Sequence, residues 1–276
     1  PSPGMSCVLI NAGTKETMAG ISRKDILDYF ERQYVGDNIV VIAAGNTKNG
    51  IALNKVKKYF SPLKHGKSFE KNKVVEMQKC PAALLYKKET DQTHMCIGFR
   101  GFNTFDPKKY IAQGVAVILG GGMSSRMFIS VRERRGLVYY ISTSADSDTD
   151  TGSIITRAGV DNKKVEQAVR TIVSEYRKMK KQKVSDSELK KAKNYIRGKT
   201  YLGLEASDDI AEFLGGQEII ENNILSTEEI LKRIDGVTAK DIQEVAQEIF
   251  VPSNINLALV GPFEDKNKFE GLLGEI

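Results

Sequence analysis

The sequence has no hydrophobic run that reaches the ~18 apolar residues of a membrane-spanning helix, so no transmembrane segment is expected. It is also poor in cysteine. Cys7, Cys80 and Cys96 are odd in number and widely spaced, which favours free thiols in a reducing compartment over a disulfide framework. These thiols make a cytoplasmic location our expectation, whereas the lack of a signal peptide at Pro1 adds little.

The chain also lacks the aromatic residues that would turn its basic charge into a nucleic-acid site. It has 276 residues and a formal net charge of +6. The densest basic run, Arg177–Lys183, contains no stacking aromatics and lies at the expected end of a helix, where cations favour the helix dipole. We therefore expect no nucleic-acid partner, and a basic scaffold or nucleic-acid binder is the weaker alternative.

The sequence contains two similar copies of one passage. ISRKDILDYFERQYVGDNIVVIAAGN begins at Ile21, and VTAKDIQEVAQEIFVPSNINLALVGP begins at Val237, 216 residues later. A repeat of this length indicates two related domains. The second copy ends a stretch of ordinary domain size, whereas the first copy has only 20 residues before it. We therefore expect the chain to begin within its first domain.

The pattern of elements predicts an α+β fold with two homologous domains, each a β-sheet with helices packed on one face. Each repeat copy predicts a capped helix, a Gly or Pro turn and an apolar strand, the strands being Ile39–Ala44 and Ile255–Val260. Further strands are predicted at 82–86, 93–99, 138–145 and 153–160. The expected organisation is residues 1–66 as the back part of an incomplete first domain, 67–80 as a linker, and 81–276 as a complete second domain.

The most distinctive segment is GGGMSSRMFISVRERRGLVYYISTSA, from Gly120 to Ala145. A glycine triplet before a helix suits a phosphate, but the lysine–serine ending of a nucleotide loop is missing, so a tight turn between helices is the favoured interpretation. Arg132 and Tyr139 lie in this segment, seven residues apart. A fixed cation and a phenol donor suit the binding of a carbonyl or an oxyanion. On the residues alone, a surface arginine and a half-buried tyrosine are the more common outcome.

This segment resembles the second-domain signature of the pitrilysin family of zinc peptidases, near the mitochondrial processing peptidases. GTKETMAGISRKDILDYFERQYVGDNIVVIAAGN resembles the late part of the family's first domain, and SDSELKKAKNYIRGKTYLGLEASDDIAEFLGG resembles a helical stretch of its second domain. The resemblance covers nearly the whole chain from about Ile10. It implies that Arg132 and Tyr139 contact substrate in the closed enzyme, which reverses the interpretation from the residues alone.

The family's zinc site has no counterpart in this sequence. The family binds zinc through His-x-x-Glu-His on a helix and a distal glutamate, whereas this chain has only His65 and His94, both outside such a motif. The family places that motif early in the first domain, before anything that matches Ile10. We therefore expect no catalytic residue and no metal ligand in this chain, no zinc bound at a catalytic site, and no cleavage by the chain alone.

The resemblance implies the C-terminal part of a zinc-dependent endopeptidase that cleaves peptides or unfolded polypeptide segments. The alternative is a zinc-less partner or structural subunit of an assembly like that of the processing peptidases. An incomplete first domain would expose an unpaired strand edge and apolar helix faces. We therefore expect a homodimer, or a heterodimer with a zinc-bearing subunit, or a first segment that is partly mobile.

Overall fold

The computed structural model describes residues 13–46, 50–67 and 71–276, which form two compact units. The small unit comprises the described residues up to Glu76 together with Leu202–Ile224, and the large unit comprises Met77–Tyr201 and Leu225–Ile276. The division into residues 1–66, 67–80 and 81–276 stays a prediction. The two divisions differ at residues 202–224, which the structure groups with the small unit, and at the predicted linker, which it divides between the units after Glu76.

The helices and strands alternate along most of the chain. The helices are α1 (Lys15–Gly20), α2 (Arg23–Gln33), α3 (Ile51–Phe60), α4 (Lys109–Gly120), α5 (Val165–Lys181), α6 (Asp186–Leu202), α7 (Ser207–Glu221), α8 (Thr227–Asp235), α9 (Ala239–Ile249) and α10 (Lys266–Leu273). The strands are β1 (Ala82–Lys87), β2 (Gln92–Arg100), β3 (Val138–Ser147), β4 (Gly152–Asp161) and β5 (Asn256–Gly261). Helices α1, α2, α3 and α7 belong to the small unit.

The large unit is built on one sheet with the strand order β1-β5-β2-β4-β3. Strands β1 and β5 run parallel, and the other neighbours are antiparallel. Along β2 the side chains of Met95, Ile97 and Phe99 are buried at alternate positions, as a strand with one covered face requires. The four strands predicted between residues 82 and 160 are confirmed, and so is the strand predicted at Ile255–Val260.

Helices cover one face of this sheet. Helix α4 packs on β3, α5 on β4, and α10 on β1, while α9 packs on α4 and α5. At the centre, the rings of Phe99, Tyr176 and Phe250 are mutually 4.8 Å apart. The Tyr176 hydroxyl donates to Thr156 Oγ1 at 2.5 Å, which satisfies a phenol that is fully buried. The predicted α+β fold with helices on one face is confirmed.

The small unit has almost no core of its own. Within its described residues, Val35 is the one large hydrophobic side chain that is buried, at 6% exposure. Gly36 donates its N–H to the Lys64 carbonyl (2.9 Å), and Gly215 of α7 lies against Ile42. Many apolar side chains are instead exposed, among them Ile26, Leu27, Tyr29, Phe30, Tyr34, Val40, Val41, Leu53 and Tyr59.

The two repeat copies share one local structure up to a definite point. Ser22 caps α2 and Thr238 caps α9, each in a capping box with the aspartate three residues later. A short 3₁₀ turn follows each helix, at Gly36–Asn38 and Pro252–Asn254. The second copy then enters β5.

The first copy does not form the corresponding strand. Ile39 is extended, with φ −125° and ψ 128°, but residues 39–44 pair with no strand in the described part of the chain. The prediction of a strand at Ile39–Ala44 is therefore wrong for this structure. A strand needs a neighbour to satisfy its backbone groups, and β5 has two such neighbours, β1 and β2.

None of the helices within the described ranges has the length and apolar character needed to cross a membrane. Cys80 is a free, exposed thiol, and Cys96 is a free thiol of intermediate exposure. Cys7 lies outside the described residues, as do the first ten residues of the chain. The free-thiol prediction is thus confirmed for Cys80 and Cys96.

Candidate substrate-contact site

The glycine-rich turn joins α4 to the segment that carries Arg132. Gly120 ends α4 so close to β3 that an added Cβ would lie 2.5 Å from the Thr143 backbone nitrogen, an approach that glycine alone permits. Ser125 then donates its N–H to the Gly122 carbonyl at 3.0 Å and closes the turn. This close packing agrees with the interpretation of the motif as a tight turn between helices.

Arg132 lies in a π-helical segment, Phe128–Glu133, which the sequence did not predict. The Arg134 N–H bonds to the Ile129 carbonyl five residues earlier, at 2.9 Å. Segments of this kind are rare and are frequent at functional sites. The Arg132 guanidinium lies 4.8 Å from the centre of the Phe128 ring, and its side chain remains exposed. This cation–π contact orients the cation while its N–H donors stay available.

Gly136 turns the chain from the π-helical segment into β3. Its φ is +57°, in the left-handed region that favours glycine, and its N–H bonds to the Arg132 carbonyl at 2.9 Å. Tyr139 follows, where the pairing of β3 with β4 is irregular between Val138 and Tyr140. The Tyr139 side chain is 60% exposed, and within the described residues its hydroxyl has no hydrogen-bond partner. The phenol is therefore available as a donor.

The structure thus places Arg132 and Tyr139 on either side of the Gly136 turn, both with exposed side chains. No hydrogen bond or cation–π contact joins the two side chains in the described part of the molecule. They are two independent donors, a guanidinium with five N–H groups and a phenol with one O–H. Their role as substrate contacts stays a prediction.

The two histidines do not build a metal site. The exposed His65 side chain places its Nδ1 3.1 Å from Asp37 Oδ1. This hydrogen bond is the main reason why the pKa of the Asp37 carboxyl is lowered. His94 Nδ1 lies 3.2 Å from the Tyr140 hydroxyl.

Zinc sites in proteins take three or four ligands from Cys, His, Asp and Glu. Among residues 13–46, 50–67 and 71–276, no three such side chains come close enough to hold a metal ion. The described residues therefore do not fit zinc. That the chain alone binds no zinc at a catalytic site stays a prediction.

A cleft lies beside β3, and no pattern in the sequence indicated it. Its volume is about 540 Å³, and its walls come from β3, α4 and α6. Polar side chains at its rim include Gln113, Tyr195 and Lys199, each of which lacks a hydrogen-bond or ion-pair partner within the described residues. Because these residues are far apart in sequence and form no recognisable motif, no signal in the sequence could have identified the cleft.

Residues 20–196 match the model of a family described as the peptidase M16 inactive domain. The chain belongs to this family. Both Arg132 and Tyr139 lie within the matched residues. The resemblance to pitrilysin-type zinc peptidases is thereby confirmed, and the names of the relatives agree with it.

The curated relatives are longer proteins named as zinc proteases. The chain is 28% identical over 254 residues to the uncharacterized zinc protease YmxG of Bacillus subtilis, covering 91% of this chain and 60% of that protein. It is 27% identical over 272 residues to an uncharacterized zinc protease of Streptomyces coelicolor, covering 92% and 56%. The chain thus spans less than two thirds of the length of these relatives.

Solved structures share the fold at low sequence identity. A protease from Helicobacter pylori superposes with a TM-score of 0.82 at 19% identity, covering 91% of this chain and 61% of that one. A peptidase M16 inactive domain from Pseudomonas fluorescens gives 0.82 at 17% identity, covering 93% and 62%. A chain of Complex III2 from Candida albicans gives 0.85 at 18% identity, covering 98% and 67%. At these identities the likeness concerns the fold alone.

Proposed function

We propose that this chain is the C-terminal part of a two-domain zinc-dependent endopeptidase that cleaves peptides or unfolded polypeptide segments. Residues 81–276 are the second domain, which contacts substrate, and residues 1–66 belong to the first domain. The chain alone cleaves nothing, because the His-x-x-Glu-His motif is absent from its 276 residues. Hydrolysis is assigned to a region outside these residues.

The observation that carries this proposal is the contrast between the two repeat copies. Ile242, Ala246 and Phe250 are fully buried in the second copy. The residues at the same positions in the first copy are Ile26, Phe30 and Tyr34, which are 59%, 52% and 52% exposed. A helix whose apolar face is this open needs another element to cover it.

The backbone of the two copies differs in the same way, because only the second copy has neighbouring strands in the described part of the chain. In the second copy, β5 lies between β1, which is parallel to it, and β2, which is antiparallel. Residues 40–45 are the counterpart of β5 and have neither neighbour within the described ranges. We infer that two strands from outside this chain flank residues 40–45 in the complete domain, one parallel and one antiparallel. The greater length of the zinc-protease relatives supports this source for them.

In the assembled protein, Arg132 and Tyr139 hold the substrate backbone near the cleaved bond. The guanidinium donates hydrogen bonds and accepts none, whereas the neutral phenol can donate one and also accept. A substrate carbonyl oxygen is therefore the natural partner of the guanidinium and a suitable partner of the phenol O–H. A donor that meets an oxygen as negative charge develops on it contributes more in the transition state than in the ground state. These two residues therefore act on kcat as well as on binding.

The test is made in the complete two-domain protein with a fluorogenic peptide. We expect Arg132→Ala and Tyr139→Phe each to lower kcat/KM by at least about tenfold, on the scale of losing one oxyanion donor. Zinc content should be unchanged. Arg134→Ala is the matched control, since Arg134 is an exposed arginine two residues from Arg132, and it should retain activity. Equal losses in all three variants would contradict the proposed roles.

A second candidate function is a zinc-less partner or structural subunit that forms a heterodimer with a zinc-bearing chain. The open apolar surface of the small unit is compatible with either a partner chain or a second copy of this chain. The exposed donors of Arg132 and Tyr139 favour a partner that handles substrate over a purely structural one. This candidate is tested by mixing the purified chain with a zinc-bearing homologue and measuring peptidase activity. A partner subunit would raise the activity of the homologue.

A cytoplasmic location remains part of the proposal and rests on the free thiols of Cys80 and Cys96. Residues 1–66, 67–80 and 81–276 remain the proposed first-domain part, linker and second domain.

A further inference from the structure

A small cavity lies between the glycine-rich turn and α6. Its volume is about 40 Å³. The side chains on its α6 wall are spaced three and four residues apart, which places them on one face of the helix. The turn contributes Gly122, Ser124 and Ser125, and α6 contributes Glu188, Lys191 and Tyr195. A cavity of this size has room for two or three waters, or for one small ion.

Ser125 carries a polar group that the protein itself leaves without a partner. The residue is 6% exposed, and its buried hydroxyl makes no hydrogen bond within the described residues. Burying a hydroxyl without a hydrogen bond is costly, so such groups are uncommon and indicate an occupant in the space beside them. The cavity that Ser125 lines is that space.

The groups around the cavity select an anion as its occupant. Lys191 is exposed, and it has no ion-pair partner in the described part of the chain; the hydroxyls of Ser124 and Tyr195 are likewise without hydrogen bonds there. Glu188 is the one carboxylate among the described lining residues, and its oxygens accept two hydrogen bonds from Arg126. Two cations and one carboxylate leave one net positive charge beside three free hydroxyl donors.

We propose that this cavity binds a small tetrahedral oxyanion, as free inorganic phosphate or sulfate. Lys191 supplies the charge, and the hydroxyls of Ser124, Ser125 and Tyr195 donate to the oxygens of the ion. Gly122 permits this arrangement, because an added Cβ would lie 3.3 Å from Tyr195 Cε2 and would push the turn away from α6. The inference does not depend on the proposed function, and it concerns a site apart from Arg132.

Thermal unfolding of the 276-residue chain tests the site. Sodium phosphate replaces sodium chloride at constant ionic strength, at up to about 50 mM, which detects a Kd in the millimolar range. At ten times the Kd, we expect the Tm of the large unit to rise by about 3–6 °C. The absence of a rise would mean that the cavity holds water only, and would overturn the proposal.

Two serine variants separate binding at this cavity from the general stabilisation that phosphate gives to proteins. Ser125→Ala removes the unpartnered hydroxyl, so stability without phosphate should not fall, whereas the rise in Tm with phosphate should shrink at least about threefold. Ser130→Ala is the matched control, since Ser130 is also buried with an unpartnered hydroxyl but does not line the cavity. It should keep the full rise, and equal responses of the two variants would contradict the site.

A pair of lysine variants tests the charge. Lys191→Met should weaken phosphate binding about two- to fivefold, as expected for a partly exposed ion pair. Lys190→Met makes the same change at an exposed position of α6 that does not line the cavity, and it should leave the Kd unchanged. Equal affinities of the two variants would overturn the role of Lys191.

Phenyl phosphate distinguishes the free ion from a phosphoryl group on a larger molecule. The cavity of about 40 Å³ fits the ion and little more, so phenyl phosphate should bind more weakly than inorganic phosphate. Tighter binding of phenyl phosphate would overturn the free ion as the ligand.

Hydrogen exchange shows where the ion acts. Ile129 donates its N–H to the Ser125 carbonyl at 3.0 Å, so the turn is also the start of the helical segment that contains Arg132. An ion held by Ser125 and Lys191 ties this turn to α6, and we expect slower exchange of the amides in residues 122–129 with phosphate. Strand β1, at one edge of the sheet, is the internal reference. Equal slowing of β1 and the turn would mean general stabilisation by the salt and would overturn the proposal.

Discussion

Ile26 and Ile242 hold the same position in two copies of one repeated passage, yet Ile26 is 59% exposed and Ile242 is fully buried. Both lie one residue after the capping-box aspartate of a helix, and the two helices have the same length. The local structure is thus the same, and the difference lies in what covers each helix. Helix α9 is covered by α4 and α5.

This pair yields a matched prediction for stability. Ile242→Ala should lower the free energy of unfolding of the large unit by about 2–5 kcal/mol, because it leaves a cavity in the core. Ile26→Ala should change the stability of this chain by less than about 0.5 kcal/mol, because its side chain is largely in water. Urea unfolding of both variants measures the difference, and similar losses would mean that α2 is covered in solution.

The close approach of Gly120 to β3 gives a second prediction. Gly120→Ala should destabilise the large unit by about 1–3 kcal/mol, because the added methyl meets the backbone of Thr143 and neither can move freely. Gly198→Ala is the control within α6, where an added Cβ has no neighbour within 4 Å. It should stabilise the unit by about 0.5–1 kcal/mol through helix propensity, as thermal unfolding would show.

The ion pair between Arg126 and Glu188 predicts that the free energy of unfolding depends on pH. Arg126 donates two hydrogen bonds to the carboxylate, at 2.8 and 3.0 Å, and these bonds lower the pKa of Glu188 against the opposing effect of burial. A carboxyl whose pKa is lowered by folding stabilises the protein above its unfolded value of 4.5 and loses that contribution as the pH falls.

We therefore expect Glu188→Gln to lower the free energy of unfolding by about 1–2 kcal/mol at pH 7. The difference from the unaltered chain should shrink as the pH falls below 4.5 and disappear once Glu188 is protonated in the folded protein. Urea unfolding at several pH values measures it. Glu133→Gln is the control, since Glu133 is exposed and makes no ion pair within the described residues. A cost for Glu188→Gln that does not change with pH would contradict the role of this charge.

The burial of Tyr176 predicts how the stability of the protein changes at alkaline pH. Burial raises the pKa of its phenol above the ordinary value of 10.0, against a smaller lowering by the hydrogen bond to Thr156. The neutral form is thus favoured by folding, and stability falls as the pH rises above about 10, where the unfolded phenol ionises. In an ultraviolet titration, Tyr176→Phe should lose one phenolate signal that appears only on unfolding. It should also show a shallower fall of stability with pH.

Much of the fold could be predicted because its signals are local. The capping boxes at Ser22 and Thr238 and the alternation in β2 depend on residues a few positions apart, and all are present in the structure. The strand at Ile39–Ala44 was predicted on the same local grounds and is absent. Apolar sequence favours a strand, but only a neighbouring strand can satisfy its backbone, and that neighbour is not a local property.

The candidate site was predictable only in part. The residue types and spacing of Arg132 and Tyr139 were visible in the sequence. The π-helical segment was not, because it depends on hydrogen bonds five residues apart that no residue pattern marks. The cleft beside β3 was hidden as well, because it forms only when α4 and α6 come together with an edge strand.

The central claim is that this chain forms part of a longer zinc peptidase, and the intact mass of the native protein tests it most directly. The protein would be captured from its source by affinity and analysed by mass spectrometry, with peptide sequencing. We predict a species substantially heavier than 30.6 kDa whose additional N-terminal peptides contain His-x-x-Glu-His. A heavier species without that motif would support the partner subunit. A native product of 30.6 kDa would contradict the claim.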